Sequence, residues 1–265
     1  MTRYLALCAS FSFALCGSTL RAAEAPDAIA KTIERFVDQH VIAGAVTLVA
    51  ADGKIKSLEA IGMADLESKR PMTPDTLFWI ASMTKPITAT SLMILVDEGK
   101  LSLDTSAGMF LPEFNSATVA GNGTNATPVT IRHLLSHTSG VAGPGKSPSP
   151  NPTLAETAES IADAPLQFEP GSQWKYGNGL TVVGRIVEIA SGQSFDAFVR
   201  DRILQPLGMN DTSFDPTPAQ RTRLATIYAI DANSKQLTPT KSTAFANFDP
   251  NGPRKTPNPS GGLAS

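Results

Sequence analysis

One four-residue motif in the sequence could activate a nucleophile: Ser82-Met83-Thr84-Lys85. Side chains three residues apart on a helix share one face, so the Lys85 amine can lie within hydrogen-bond reach of the Ser82 hydroxyl. A serine alone is a poor nucleophile at neutral pH, whereas a desolvated lysine beside it can accept its proton. The spacing therefore predicts Ser82 as the nucleophile of an acyl-transfer reaction, with Lys85 beside it as a proton acceptor.

The same spacing occurs again at residues 172–175, so the motif alone is weak support. The sequence around each serine separates the two. Residues 77–80 are strand-like and residues 84–98 are apolar on nearly every side, which predicts that Ser82 lies where a strand turns into a buried helix. Ser172 instead follows Pro170-Gly171 in a predicted loop. An ordinary helix N-cap remains the alternative role for Ser82.

Tyr176 and Asn178 form a second candidate element, on either side of Gly177 and just before another predicted helix. A tyrosine hydroxyl held near a lysine can exist partly as phenolate and carry a proton. An asparagine amide can bind a substrate amide with both a donor and an acceptor. A plain turn remains the alternative, because Gly and Asn are common in turns.

His133 and His137 have the four-residue spacing of a zinc pair. A zinc protease site of this type also needs a glutamate between the two histidines, and only leucines and a serine stand there. We therefore favour structural histidines and predict neither a metal nor a cofactor, with a metal-dependent hydrolase as the rival hypothesis. The sequence also lacks the Gly-x-Ser-x-Gly turn of α/β-hydrolases and the Gly-rich loops that bind phosphate.

The first 25 residues have the order of features that is typical of a secretory signal peptide. Arg3 supplies positive charge, residues 4–20 are mostly apolar, and Ala23-Glu24-Ala25 forms a small-x-small cleavage site. The apolar stretch is marginal as a permanent membrane span. We therefore predict export to the periplasm, with one domain over residues 26–265. Both cysteines, Cys8 and Cys16, lie in the cleaved segment, so the processed chain would have neither a disulfide nor a thiol nucleophile.

The charge balance restricts the class of partner. The chain has 22 Lys and Arg residues against 24 Asp and Glu, a formal net charge of -2, and its basic residues are scattered. This distribution gives no electrostatic footprint for nucleic acid and no polybasic patch for a membrane. A small neutral or zwitterionic substrate is the simpler expectation.

Hydrophobic periodicity predicts that the fold opens with a helix and two strands. Apolar residues recur at helical spacing from Ile29 to Val37, and Asp52-Gly53 joins two apolar runs, residues 45–51 and 55–61, as a tight hairpin. Further helices are predicted at residues 84–98, 130–135, 155–162, 180–190 and 195–204, and long loops at residues 117–128, 140–152 and 239–259.

Three blocks together, at residues 77–85, 134–140 and 176–178, resemble the class C β-lactamase, DD-peptidase and family VIII esterase superfamily of penicillin-recognising serine hydrolases. The resemblance implies that Ser82 is acylated, that Lys85 and Tyr176 transfer its proton, and that Asn178 contacts the substrate amide. Residues 134–140 would be scaffold. We therefore expect an α/β fold, in which an antiparallel sheet is flanked by helices and a helical subdomain is inserted between its strands. The substrate would be a small ester, lactam or peptide.

The family pattern also contains a third motif, a Lys or His followed one residue later by Gly, on a strand near the C-terminus. Residues 260–265 instead resemble the segment that precedes a further helix in the family. The resemblance thus implies that further strands and one oxyanion N–H donor are missing from this chain, and loss of one such donor costs about 100- to 1,000-fold in rate. The alternative function is a catalytically impaired fragment or a non-catalytic binding homologue of the same fold.

Overall fold

The computed structural model describes residues 26–121, 126–144, 152–240 and 256–265. The predicted signal peptide, residues 1–25, lies outside the described residues. So do parts of the three predicted loops, at residues 122–125, 145–151 and 241–255.

The fold opens with a helix and an antiparallel hairpin. Helix α1 (Pro26–Asp38) packs on strands β1 (Gly44–Ala51) and β2 (Lys54–Asp65), and a short strand β3 (Arg70–Pro71) pairs with β2. Asp52 and Gly53 join β1 to β2 with φ angles of +54° and +68°. Two positive φ angles belong to the turn that matches the twist of a hairpin, so the predicted hairpin is confirmed.

Helices are the main regular structure between β3 and a separate hairpin of strands β4 (Tyr228–Ile230) and β5 (Leu237–Pro239), which the sequence analysis did not predict. The predicted helices at residues 84–98, 130–135, 155–162 and 180–190 are confirmed to within two residues. The helix predicted at residues 195–204 is an α-helix only as far as Val199, and the chain then continues as a π-helical turn. The helices are α2 (Thr84–Asp97), α3 (Ile131–Leu135), α4 (Leu154–Ala162), α5 (Gly179–Ser191), α6 (Phe195–Val199) and α7 (Pro218–Arg221). None of the helices in the described part of the chain has the length and apolar character that a membrane crossing needs.

The main core lies where α2 crosses α5. Leu92 and Leu95 of α2 and Ile186 of α5 are fully buried, together with Phe195 and Phe198 of α6. Burial of this many large apolar side chains is the dominant favourable contribution to folding. The prediction that residues 84–98 form a helix in the middle of the protein is therefore confirmed.

Residues 256–265 return to the start of α2. Phe78 and Ser265 exchange two backbone hydrogen bonds of 2.7 and 2.9 Å, and the Ile80 N–H donates to the Leu263 carbonyl at 3.0 Å. Leu263 is fully buried. Residues 78–80 of the strand-like run therefore pair with this terminal segment, while Leu77 pairs with Leu224.

Candidate active site

Ser82 lies in a 3-10 turn, Ala81–Met83, that comes directly before α2. Ala81 has a φ of +47°, which non-glycine residues seldom adopt, and Ser82 itself is exposed. The turn that carries Ser82 leads directly into the buried helix, as predicted, and α2 itself begins at Thr84. Met83 is the N-cap residue of α2, and no side chain caps the helix there. The Ser82 hydroxyl is thus not an N-cap, and that alternative is wrong.

Lys85, in the first turn of α2, points back at Ser82. Its Nζ donates to the Ser82 Oγ at 3.1 Å and to the backbone carbonyl of Ser260 at 2.6 Å. The first contact is the one that the three-residue spacing predicts. The second holds the lysine between the nucleophile turn and the terminal segment.

Tyr176 approaches Ser82 from the loop before α5. Its hydroxyl donates to the Ser82 Oγ at 2.7 Å, and the Lys85 Nζ lies 4.7 Å from the centroid of its ring. Burial acts to raise the pKa of the Tyr176 hydroxyl, but the close interactions with Lys85 and Ser82 outweigh it, so this pKa lies below its ordinary value of 10. Three residues predicted from sequence therefore meet at one hydroxyl oxygen.

Asn178 is the N-cap residue of α5, two positions after Tyr176, but its side chain does not cap the helix. Its amide nitrogen lies beside Gly143. Among the contacts of the described residues, no hydrogen bond joins Asn178 to Ser82. The structure thus brings Ser82, Lys85 and Tyr176 together and places Asn178 on the same turn as Tyr176.

The terminal segment contributes contacts that the sequence analysis missed. The hydroxyls of Thr181 and Ser260 lie 2.8 Å apart, and the Thr88 hydroxyl donates to the Pro259 carbonyl at 2.7 Å. The Leu263 N–H donates to the Thr84 hydroxyl at 3.1 Å. A signal for these contacts existed, because Thr84 and Thr88 are buried polar residues on an apolar helix, and buried polar groups need partners.

The second Ser-x-x-Lys sequence has no such surroundings. Ser172 is exposed, and its hydroxyl donates to the Glu169 carbonyl at 2.6 Å within a turn. The Lys175 N–H is bound to the His137 carbonyl. The prediction that Ser172 lies in a loop is confirmed.

Both histidines accept a hydrogen bond from a backbone N–H through Nδ1. His133 accepts from Thr130 in the capping box of α3, and His137 accepts from Gly177 at 3.3 Å. Burial lowers the pKa of both rings, helped by the positive charge of Arg132 at His133 and of Lys85 at His137. These contacts fit the interpretation of structural histidines. Across the described ranges, no three His, Cys, Asp or Glu side chains are grouped closely enough to hold a metal ion.

Comparison with known proteins gives matches over most of the chain. A family model described as Beta-lactamase matches residues 29–265. Esterase EstB of Burkholderia gladioli is 39% identical over 212 residues, which are 73% of this chain and 53% of that protein. Penicillin-binding protein 4 of Amycolatopsis lactamdurans is 37% identical over 193 residues, which are 71% of this chain and 49% of that protein. The chain therefore spans about half the length of these two curated relatives.

A solved structure is similar in three dimensions. EstCE1, described as a hydrolase with promiscuous acyltransferase activity, aligns with a TM-score of 0.78 and 26% identity over 91% of this chain and 69% of that chain. The predicted α/β architecture, an antiparallel sheet flanked by helices, is confirmed by this likeness.

Proposed function

Because this chain belongs to the beta-lactamase family, as the sequence resemblance implied, we propose that it is a serine hydrolase in which Ser82 attacks an ester, amide or β-lactam carbonyl. One observation carries the proposal. The Ser82 Oγ lies within hydrogen-bond distance of both the Lys85 Nζ, at 3.1 Å, and the Tyr176 hydroxyl, at 2.7 Å. Two groups that can carry a proton therefore meet at one exposed hydroxyl, which is the arrangement that activates a serine.

In the first half-reaction, the Ser82 Oγ bonds to the carbonyl carbon and its proton passes to the Lys85 and Tyr176 pair. The bond from that carbon to the leaving oxygen or nitrogen then breaks, and the pair returns the proton to the leaving group. In the second half-reaction, water adds to the acyl-enzyme and the Ser82 Oγ leaves with a proton. The pair acts as base and acid in each half.

The protonation state of the Tyr176 hydroxyl decides whether it can accept the Ser82 proton. Its hydroxyl donates to Ser82 in the structure, so it can accept the Ser82 proton only as a phenolate. The positive charge of Lys85 favours that form, in agreement with the lowered pKa of the hydroxyl. Asn178, whose amide is not used to cap α5, would contact the substrate amide.

The test is labelling by a fluorophosphonate, which reports nucleophile activation, together with turnover of chromogenic esters. Ser82→Ala should abolish labelling, and Ser172→Ala, which alters the other Ser-x-x-Lys sequence, should leave it intact. Tyr176→Phe should slow labelling about 100- to 10,000-fold, the usual contribution of a positioned proton carrier. Labelling that survives Ser82→Ala would refute the proposal.

The relatives suggest which substrates to test first. EstB is named as an esterase and EstCE1 as a hydrolase, so short esters come first, followed by a chromogenic cephalosporin and a small peptide amide. Turnover of the ester ahead of the other two would support the ester class. Faster opening of the lactam would favour β-lactams instead.

We also propose that the protein is exported and is cleaved after Ala25. The order of charge, apolar stretch and small-x-small site in residues 1–25 supports this. Mass spectrometry of protein from the periplasmic fraction should find Pro26 at the N-terminus. Periplasmic protein that begins at Met1 would contradict cleavage.

A further inference from the structure

We propose that His137 is a positioning residue that holds the loop 175–177 so that the Tyr176 hydroxyl stays on Ser82. The proposal rests on the proposed roles of Ser82 and Tyr176. It gives a function to a histidine that the proposed reaction does not use.

The hydrogen bonds of His137 lie on both sides of Tyr176 in the chain. Its backbone carbonyl accepts from the Lys175 N–H at 2.9 Å, and its ring Nδ1 accepts from the Gly177 N–H at 3.3 Å. One residue therefore holds the peptide group between Trp174 and Lys175, on one side of the tyrosine, and the peptide group between Tyr176 and Gly177, on the other. Movement of either peptide group would move the Tyr176 hydroxyl from its 2.7 Å contact with Ser82.

The ring of His137 also supports the tyrosine directly. The centroids of the His137 and Tyr176 rings are 4.6 Å apart, with 32° between the ring planes. The Trp174 ring lies edge-on to the His137 ring, with centroids 6.1 Å apart and 76° between the ring planes. His137, two positions beyond the end of α3, has a φ of +60°, in the left-handed region where His, Asn and Asp are commoner than other non-glycine residues. The chain just after α3 thus adopts a left-handed turn that places this ring against the loop.

Protonation would break the arrangement. Nδ1 can accept from Gly177 only when it carries no proton, so the proton of the neutral ring must be on Nε2. Two titratable groups face the ring from other elements, Lys85 of α2 and Tyr176 of the loop before α5, while Lys175 beside them is exposed. Burial, and then the charge of Lys85, keeps the pKa of His137 below its ordinary value of 6.5. Below that pKa an Nδ1–H would face the Gly177 N–H, and labelling of Ser82 should slow.

Two substitutions separate the acceptor from the ring. His137→Asn places Oδ1 where Nδ1 lies and suits a positive φ, so it keeps the hydrogen bond but does not titrate. His137→Phe keeps a ring but has no acceptor. His133→Asn is the matched control, because the Nδ1 of His133 likewise accepts a hydrogen bond from a backbone N–H, that of Thr130.

The readout is the rate of fluorophosphonate labelling from pH 5 to 8. We expect His137→Phe to lose about 10- to 100-fold at pH 7.5, as a small misplacement of a reacting group does. His137→Asn should label within about threefold of the native rate and lose the decline below pH 6.5. His133→Asn should keep both the native labelling rate and its decline at acid pH. A native rate in His137→Phe, or an unchanged acid decline in His137→Asn, would overturn the proposal.

Nitrogen NMR of the imidazole tests the proposal without any activity. At pH 7.5 the His137 ring should be neutral with its proton on Nε2, and it should titrate below pH 6.5. A proton on Nδ1 at pH 7.5 would overturn the proposal. If labelling persisted in Ser82→Ala, the proposed function would fail, and this spectrum alone would decide the role of His137.

Discussion

The hydroxyl pair formed by Thr181 and Ser260 should stabilise the terminal segment against α5, and Thr181→Val and Ser260→Ala test this. The two oxygens are 2.8 Å apart, and Thr181 is only 7% exposed. Loss of one partner leaves the other hydroxyl unpaired in a mostly buried place, which costs about 1–2 kcal/mol in free energy of unfolding. Removal of both hydroxyls leaves neither of them unpaired.

The double variant should therefore be less destabilised than the sum of the two single variants. We expect a coupling energy of about 1 kcal/mol, since directly contacting residues are not additive. The assay is equilibrium unfolding in urea of the native protein, both single variants and the double variant. Thr90→Val is the control. Its hydroxyl donates to the Pro86 carbonyl on the exposed side of α2, so its effect should stay within about 0.5 kcal/mol.

The same variants should slow labelling of Ser82. The Ser260 carbonyl accepts from the Lys85 Nζ, so a looser terminal segment weakens the hold on the lysine. A loss of about 1 kcal/mol in this anchoring corresponds to about fivefold in rate. Strict additivity of the two single variants, with a coupling energy below about 0.3 kcal/mol, would refute the idea that these hydroxyls act as a pair.

Three further predictions concern stability. The hydrogen bond from Thr226, with others from Ser68, lowers the pKa of Asp65 from 3.8 to about 2, so its contribution is complete above pH 4 and is lost as pH falls through about 2. Asp65→Asn should therefore remove part of the decline in the urea midpoint between pH 4 and 2, and an unchanged decline would contradict this. Thr153→Ala removes the side chain that caps α4 and should cost about 1 kcal/mol in urea unfolding, whereas no loss would show that the cap contributes nothing. Leu92→Ala, at a fully buried position, should lower the free energy of unfolding by about 2–5 kcal/mol, and a loss under about 1 kcal/mol would show that the core collapses around the cavity.

The parts of the fold that the sequence predicted depend on local chemistry. The Asp52-Gly53 turn requires two positive φ angles, which this dipeptide favours, so the hairpin follows from two residues. The terminal segment could not be predicted in the same way. Its pairing joins Phe78 to Ser265 across the whole helical region, and its Gly, Pro and Ser residues show no periodicity.

In the site, too, contacts between residues close in the chain could be predicted from the sequence, and contacts between distant residues could not. The contact between Ser82 and Lys85 follows from a helical spacing. Tyr176 lies 94 residues from Ser82, and although its chemistry made it a candidate, only the family resemblance paired it with Ser82. Ser260 was missed because its contact with Lys85 uses a backbone carbonyl, which every residue type has. The 3-10 turn was missed because nothing in an alanine side chain signals the positive φ of Ala81.

The hydrogen bond from Lys85 to Ser260 can form only after residue 260 has been synthesised. The two residues are 175 positions apart in the chain. At ribosomal rates of about 5–20 residues per second, Ser260 is made on the order of ten seconds or more after Lys85. A nascent chain therefore carries its serine and lysine for that interval without the carbonyl that anchors the lysine. Messages or ribosomes that stop before codon 260 would release chains that contain the Ser-x-x-Lys sequence but cannot hold its lysine in place.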